Sequence, residues 1–295
     1  MVGCLAKGGY DLSSSYVIKW RQLVRDKGIA RRRPLDIGRD TFNGQPVTHT
    51  QPGAPTPMSS LLILKTGSTY PAVSDTFGDF EQWFQRHLDG QSDVVVRDVT
   101  RAGPPPRVGD WRGVIITGSP AMVTERAPWS EDTAAWLHTA VTREMPVLGV
   151  CYGHQLLAHA FGGEVGFREQ GRESGTFTVT LTEEGRKDPL LGQLPQTFPA
   201  HLTHAQSVTT LPPQAVLLAR SEGERHQAFR IGRHAWGVQF HPEFDTGVMT
   251  RYLEVQTPAL RDEGQDPAAL IQGVTGTDQA TSLLRRFAKY VGELT

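Results

Sequence analysis

The amino-acid sequence predicts an α/β protein with a doubly wound, mostly parallel sheet and flanking helices. Short apolar segments rich in β-branched residues alternate with longer amphipathic segments after residue 58. Strands that are covered on both faces have this continuous apolar character. Strand–helix–strand alternation implies parallel pairing with right-handed crossovers. We therefore expect one such domain over residues 58–295, preceded by an extension over residues 1–57.

The elements follow from apolar spacing. In the first half, the predicted strands are Leu61–Lys65, Asp93–Val96, Val114–Thr117 and Val147–Val150. The predicted helices between them are Asp75–Leu88 and Ser130–Glu144, which carry apolar residues at helical spacing, and Ser130 is a suitable N-cap. In the second half we predict strands over 175–182, 198–203, 215–220, 226–231 and 235–240 and a helix over Asp278–Glu293.

The composition excludes several classes of protein. The 295 residues include 30 basic and 31 acidic ones, which rules out a globally basic nucleic-acid binder and an acidic disordered chain. No apolar run approaches the ~18 residues of a membrane-spanning helix, and the first residues lack a signal-peptide pattern. Two cysteines cannot build a disulfide framework. We therefore expect a soluble, cytoplasmic protein that contacts neither nucleic acid nor membrane.

The first 57 residues differ from the rest in charge and in proline content. They carry a net charge of +5, whereas the remaining residues carry −6, and five prolines fall within residues 34–57. We predict a basic, Pro-rich and poorly ordered extension. The run Arg31–Arg33 is interpreted as a solvated tail, with a nucleic-acid patch as the alternative. A start of translation at Met58 is a further alternative.

Cys151 has the setting of a nucleophile. It follows the predicted strand Val147–Val150 and precedes a predicted helix, with Gly149 and Gly153 two residues away on either side. A nucleophile at a strand-to-helix turn needs such glycines, because neighbouring chain approaches the tight turn closely. The helix N-terminus also stabilises negative charge. A buried structural cysteine is the alternative, but it does not account for the two glycines.

His241 is the best candidate for the base that a thiol nucleophile requires. It ends an apolar segment and is followed by Pro242 and Glu243. Residues i and i+2 of an extended segment point to the same side, so the carboxylate can orient the imidazole. Pro242 favours the extended geometry. A strand-end turn with an exposed carboxylate is the alternative. His154 and His159, on the helix after Cys151, are expected to pack elsewhere.

Two segments together resemble a known family. They are Gly149–Gln155 (Gly-Val-Cys-Tyr-Gly-His-Gln) and Gly237–Phe244 (Gly-Val-Gln-Phe-His-Pro-Glu-Phe). They resemble the class I (triad) glutamine amidotransferases, especially the glutaminase domain of GMP synthase and its stand-alone relatives. The resemblance covers about residues 60–255 and implies a flavodoxin-like fold. It implies Cys151 as the nucleophile, His241 as base and acid, and Glu243 as the residue that orients the imidazole.

The resemblance also implies an oxyanion hole. The segment Ile115–Pro120 is similar to a glycine-rich turn of the family, whose backbone N–H groups would here belong to Gly118 and Ser119. The N–H of Tyr152 would complete the hole. Gln155 matches a family glutamine that contacts the substrate. Outside this order of motifs, the Gly-Ser-Pro segment would be an ordinary turn.

One segment departs from the family pattern. Similar proteins carry Ser-His-Gly-Asp-x-Val, which helps to hold the amino-acid end of glutamine, whereas this chain has Thr203-His204-Ala205-Gln206-Ser207-Val208. We place His204 and Gln206 in the substrate site. Because a neutral amide binds an ammonium less strongly than a carboxylate does, we expect weaker binding of free glutamine. A polar loop residue without this role is the alternative.

The resemblance implies a glutaminase-type hydrolase that releases ammonia from the glutamine side chain through a γ-glutamyl thioester. It implies no cofactor and no metal. An ATP-dependent synthetase subunit is a candidate partner, since the sequence shows no phosphate-binding loop of its own. Two alternatives stay open: a hydrolase of γ-glutamyl peptides or conjugates with the same fold, and a regulatory homologue without catalysis.

Overall fold

The computed structural model describes residues 60–88 and 93–294. The strands are β1 Ser60–Lys65, β2 Asp93–Asp98, β3 Gly113–Ile116, β4 Val147–Val150, β5 Glu164–Phe167, β6 Glu173–Leu181, β7 Thr197–His204, β8 Gln206–Thr210, β9 Ala215–Arg220, β10 Ala228–Ile231 and β11 Ala235–Val238. The α-helices are α1 Pro71–Phe77, α2 Phe80–Leu88, α3 Pro128–Thr142, α4 Tyr152–Ala160, α5 Glu183–Lys187, α6 Thr246–Asp262, α7 Pro267–Gln272 and α8 Asp278–Glu293. The predicted extension over residues 1–57 lies outside the described residues and stays a prediction.

Nine of the described strands form one sheet in the order β2–β1–β3–β4–β11–β10–β9–β6–β7. The five strands from β2 to β11 pair in parallel, and their order is that of a flavodoxin-like sheet. The other four extend the sheet by antiparallel pairing. The strands β5 and β8 form a separate antiparallel ribbon. The predicted α/β class with a parallel central sheet is confirmed, and all nine predicted strands are present within about two residues.

Helices cover both faces of the parallel strands. Alternate residues of a strand point to opposite faces. Accordingly, Leu61 and Ile63 of β1 pack in one apolar cluster with residues of α2 and α8, such as Phe84 and Phe287. Leu62 and its even-numbered neighbours pack in a second cluster with α3 and α4. Burial on both faces explains why these strands are apolar throughout.

Two details of the predicted helices are wrong. The segment Asp75–Leu88 forms two helices, because Gly78 adopts φ 83° and ends α1. Asp79 then accepts the N–H of Phe80 (2.9 Å) at the start of α2. Ser130 is not an N-cap, since α3 begins with Pro128, and the Ser130 hydroxyl is instead buried inside the first turn.

The sequence reasoning did not find α6 and α7, which lie between β11 and α8. Residues Val248, Met249 and Leu253 of α6 pack in a third apolar cluster with Val73 of α1 and Trp83 of α2. This cluster adjoins the carboxyl edge of the sheet. Within the described residues, no helix combines the length and apolar character needed to cross a bilayer.

Candidate active site

The carboxyl ends of four parallel strands meet at one edge of the sheet, where ligands bind in sheets of this type. β1 leads into Thr66, β3 leads into Thr117 and Gly118, β4 leads into Cys151, and β11 leads towards His241. Because β4 and β11 are paired neighbours, residues that are far apart in sequence follow adjacent strands. The sheet thereby brings the predicted nucleophile and the predicted base to one place.

Cys151 holds an unusual backbone conformation between β4 and α4, with φ 51° and ψ −99°. A non-glycine residue at positive φ is strained, and such residues cluster at functional sites. Its N–H donates to the Val238 carbonyl over 2.9 Å. A Cβ at Gly149 would lie 2.4 Å from the Gly153 carbonyl oxygen, and a Cβ at Gly153 would lie 2.6 Å from the Ile116 carbonyl oxygen. The tight, glycine-dependent turn that the sequence predicts is confirmed.

His241 and Glu243 form a buried pair after β11. The His241 Nδ1–H donates to Glu243 Oε1 over 2.8 Å, because a carboxylate oxygen can only accept. Each residue is 2% exposed. The Phe244 ring stacks on the imidazole at a centroid distance of 4.1 Å, and the His241 backbone N–H donates to the His201 carbonyl over 2.8 Å. These contacts fix the imidazole, and its Nε2 has no hydrogen-bond partner among the described residues.

The electrostatics of this pair favour a protonated imidazole. Burial lowers the pKa of His241, but the negative charges of Glu243 and Cys151 outweigh burial and raise the pKa to about 10. Cys151 therefore lies within electrostatic reach of the ring. An imidazolium at His241 in turn stabilises negative charge on the Cys151 sulfur, which a thiol nucleophile requires.

The loop after β3 packs against the imidazole. A Cβ at Gly118 would lie 2.9 Å from His241 Cε1, so the backbone of the loop contacts the ring directly. The Ser119 hydroxyl donates to the Thr66 carbonyl (2.7 Å) and accepts from the Ala121 N–H (3.1 Å). In the described part of the chain, neither the Gly118 N–H nor the Ser119 N–H donates to another residue. These two N–H groups are left to face a substrate.

Tyr152 is the first residue of α4, so its N–H has no acceptor within the helix. Its side chain points into the core, where the phenol oxygen lies 2.6 Å from the Ser130 hydroxyl, and burial raises the pKa of the phenol. The backbone N–H of Tyr152, next to Cys151, is therefore the group of this residue that can act on a substrate.

The three residues predicted to bind substrate form one network. The Gln206 carbonyl accepts from Gln155 Nε2 (2.7 Å) and from His204 Nδ1 (2.9 Å). Gln155 Nε2 also donates to Gln239 Oε1 over 3.0 Å. The Gln206 side chain donates to the Thr124 hydroxyl over 2.6 Å, while its Oε1 is buried without a hydrogen-bond partner. The structure brings Gln155, His204 and Gln206 together, and their contact with substrate stays a prediction.

A buried ionic cluster supports this network from behind, and the sequence reasoning missed it. His204 Nε2 lies 2.9 Å from Glu173 Oε2. Arg168 Nη1 lies 3.5 Å from Glu173 Oε2 and 3.4 Å from Glu224 Oε2. The side chains of all these residues are at most 6% exposed. They come from distant parts of the chain, and no motif or spacing in the sequence marks them.

The two histidines of α4 pack elsewhere, as predicted. The His154 ring is fully buried and lies 4.8 Å from the Phe229 ring, and burial lowers its pKa to about 3. His159 Nε2 contacts the Glu131 carboxylate at 3.1 Å. Neither ring joins the pair formed by His241 and Glu243.

Comparison with known protein families decides the classification. Residues 83–257, more than half of the chain, match the family described as glutamine amidotransferase class-I. The chain belongs to the class I glutamine amidotransferases. The resemblance drawn from the two sequence motifs is thereby confirmed, and the chain is placed in a family of enzymes, as the sequence predicts.

Relatives of this class I glutamine amidotransferase include GMP synthases. It is 30% identical over 234 residues to the glutamine-hydrolyzing GMP synthase of Thermosipho melanesiensis, a match that covers 75% of this chain and 42% of the relative. It is 31% identical over 176 residues to a glutamine-hydrolyzing GMP synthase subunit of Halobacterium salinarum, covering 59% and 89%. It is 28% identical over 203 residues to gamma-glutamyl peptidase 3 of Arabidopsis thaliana, covering 66% and 77%. The chain spans less than half the length of the full GMP synthases that it matches.

Solved structures show the same fold. A glutamine amidotransferase from Thermotoga maritima is 20% identical with a TM-score of 0.64, covering 80% of this chain and 99% of that one. A glutamine amidotransferase from Methylobacillus flagellatus is 25% identical with a TM-score of 0.60, covering 79% and 92%. The flavodoxin-like arrangement is therefore common to this chain and these proteins.

Proposed function

We propose that this chain hydrolyses the side-chain amide of glutamine, or a γ-glutamyl bond of the same chemistry. In this proposal Cys151 is the nucleophile, His241 is the base and acid, and Glu243 orients the imidazole. The observation that carries the proposal is the strained turn of Cys151 on the strand next to the buried pair His241 and Glu243. A structural cysteine needs neither the strain nor the charged pair.

The reaction then has two stages. The Cys151 sulfur attacks the amide carbon, and negative charge moves to the carbonyl oxygen. When the C–N bond breaks, His241 Nε2 gives its proton to the departing nitrogen and ammonia leaves a γ-glutamyl thioester. His241 next takes a proton from water, whose oxygen attacks the thioester and releases glutamate and the thiolate. Glu243 holds the ring and stabilises its charge throughout.

The oxyanion of each stage is stabilised by backbone groups in this proposal. The N–H groups of Gly118, Ser119 and Tyr152 are its donors. Gly118 packs on the His241 ring and Tyr152 adjoins Cys151, so donors approach the reacting centre from two elements. Fixed donors of this kind are a large contribution to catalysis, because they need no reorganisation when charge develops.

Gln155, His204 and Gln206 hold the amino-acid end of the substrate in this proposal. Their mutual hydrogen bonds support a shared role. Gln206 supplies no negative charge for an ammonium group, and the carboxylates of Glu173 and Glu224 are already paired with Arg168. A γ-glutamyl peptide or conjugate is therefore the second candidate substrate, and the similarity to gamma-glutamyl peptidase 3 supports it.

A synthetase that uses the released ammonia is the proposed partner. The similarity to the GMP synthase subunit of Halobacterium salinarum supports this choice, because that relative matches along 89% of its length. Co-purification of the full chain with an ATP-dependent synthetase tests it. A chain that purifies alone and prefers γ-glutamyl peptides would favour the peptidase function instead.

The test of the nucleophile uses both cysteines of the chain. A chloroketone analogue of glutamine should label Cys151 and leave Cys4 unlabelled. Cys151→Ala should abolish hydrolysis of both glutamine and a γ-glutamyl peptide, while the matched variant Cys4→Ala keeps wild-type activity. Turnover that survives in Cys151→Ala would exclude this mechanism. A folded wild-type chain that hydrolyses neither substrate would favour the non-catalytic, regulatory alternative.

A further inference from the structure

Two neighbouring strands end in the same dipeptide at the candidate active site. β1 is followed by Thr66-Gly67, and β3 runs into Thr117-Gly118. The two strands are parallel neighbours in the sheet. Both threonines are completely buried, where a hydroxyl group without a hydrogen bond is costly. Their hydroxyl groups therefore need partners within the protein.

Both hydroxyl groups converge on the carbonyl of Gly118. Thr117 Oγ1 lies 2.9 Å from this oxygen and Thr66 Oγ1 lies 3.0 Å from it. The Thr66 N–H donates to Thr117 Oγ1 over 3.1 Å, which leaves the hydroxyl proton of Thr117 for the Gly118 carbonyl. The single hydroxyl proton of Thr66 is shared between this carbonyl and that of Thr117, each 3.0 Å away.

The direction of this carbonyl determines the direction of the next N–H. The Gly118–Ser119 peptide is trans, so the Ser119 N–H points opposite to the Gly118 carbonyl. The carbonyl is held towards the ends of β1 and β3, and the N–H therefore points away from them. Glycine permits a wide range of backbone angles. Without the two hydroxyl groups, this peptide can rotate and present its carbonyl oxygen where an N–H is needed.

We infer that Thr66 and Thr117 are positioning residues that lock the Gly118–Ser119 peptide with its N–H directed into the oxyanion hole. This inference rests on the proposed function. It assigns to the matched Thr-Gly pairs a role that no motif of the sequence analysis had assigned. A carbonyl oxygen in place of the N–H would repel the oxyanion, so the lock acts on the chemical step.

The test replaces each threonine by valine, which has the same shape without the hydroxyl group. We expect Thr66→Val and Thr117→Val each to lower kcat by about 10-fold or more, with KM changed by less than about twofold. The reason is that the oxyanion exists in the transition state and not in the bound substrate. Removing a whole oxyanion donor costs about 10²–10³ in kcat, which is the upper limit expected here. Thr66→Ser and Thr117→Ser keep the hydroxyl group and should restore most of kcat.

Thr133→Val is the matched control. Thr133 is also completely buried, and its hydroxyl donates to the Trp129 carbonyl within α3 over 2.6 Å. This variant loses a buried hydrogen bond of the same kind outside the oxyanion loop. We expect it to lower the melting temperature comparably while kcat stays at the wild-type value.

The outcomes separate the inference from the function on which it rests. Unchanged kcat in both valine variants, together with an inactive Cys151→Ala variant, overturns the lock and leaves the proposed function intact. A loss in KM alone, or no recovery in the serine variants, overturns it as well. Activity that survives in Cys151→Ala overturns the proposed function instead. If a valine variant does not fold, serine and alanine at that position are compared, because they differ in the hydroxyl group alone.

Discussion

The catalytic edge of the sheet and the cluster behind His204 are built in different ways. At the catalytic edge, the acting groups are close in sequence or follow adjacent strands, as with His241 and Glu243, which are two residues apart. In the cluster, His204 contacts Glu173 from 31 residues away, and Arg168 contacts Glu224 from 56 residues away. The first region depends on backbone geometry, and the second depends on long-range side-chain pairing.

This difference separates two kinds of requirement. The catalytic edge uses positive φ, close glycine contacts and free N–H groups, which few sequences can provide. The ionic cluster uses charges that any sufficiently close pair of residues could supply. We therefore expect substitutions in the first region to change the rate of the chemical step. Substitutions in the second region should change stability and substrate binding.

The largest expected effect is at the catalytic edge. His241→Ala should lower kcat by at least about 10⁴-fold, because residues that act as one unit fail together. Glu243→Gln should be about two orders of magnitude less severe, because Glu243 orients the ring and does not transfer the proton. Steady-state kinetics on a γ-glutamyl substrate measure both. Equal losses in the two variants would assign Glu243 a direct part in proton transfer.

The same variant has a signature in the pH dependence of stability. The pKa of His241 is raised from 6.5 to about 10, against the effect of burial, by the charges of Glu243 and Cys151. The protonated ring therefore stabilises the fold fully below pH 6.5, and this contribution is lost as the pH rises towards 10. The difference in unfolding free energy between wild type and Glu243→Gln should narrow over that range. Denaturant unfolding at several pH values measures it, and a constant difference would contradict the assigned charge coupling.

An intermediate effect is expected from Glu173→Gln in the ionic cluster. Removing one partner of a buried ion pair leaves an uncompensated charge, which typically costs about 3–5 kcal/mol. We expect a loss near the lower limit, because Glu224 still pairs with Arg168. Urea unfolding measures the change. The matched control is Glu183→Gln, which breaks an exposed pair with Lys187 and should not change stability measurably.

The smallest expected effect is at Gln206, where the two regions meet. Gln206→Asp supplies a carboxylate for the ammonium group of glutamine, so KM for glutamine should fall several-fold with kcat nearly unchanged. The control is the same comparison on a γ-glutamyl peptide whose α-amino group is blocked, where KM should not improve. A wild-type enzyme with low KM for glutamine, and a variant that is no better, would remove Gln206 from the ammonium site.

The sequence was sufficient for the sheet and for the nucleophile. The parallel strands are predicted because residues buried on both faces must be apolar, and this leaves a continuous pattern in the chain. The turn at Cys151 is predicted because its two glycines are a local steric requirement, which the structure bears out. The break at Gly78 escaped prediction because a single glycine interrupts an otherwise continuous helical spacing.

By itself, the sequence determined the fold class, the turn at Cys151 and the local pair of His241 and Glu243, because each depends on neighbouring residues or on simple periodicity. Only the tertiary structure decided that Thr66 and Thr117 share one carbonyl, and that Glu173 and Arg168 stand behind His204. These contacts join residues from separate strands, and their distances depend on how the strands are ordered in the sheet. A hydroxyl or carboxylate has the same sequence signal whether its partner is a distant residue or water, so its role becomes visible only when the sheet is assembled.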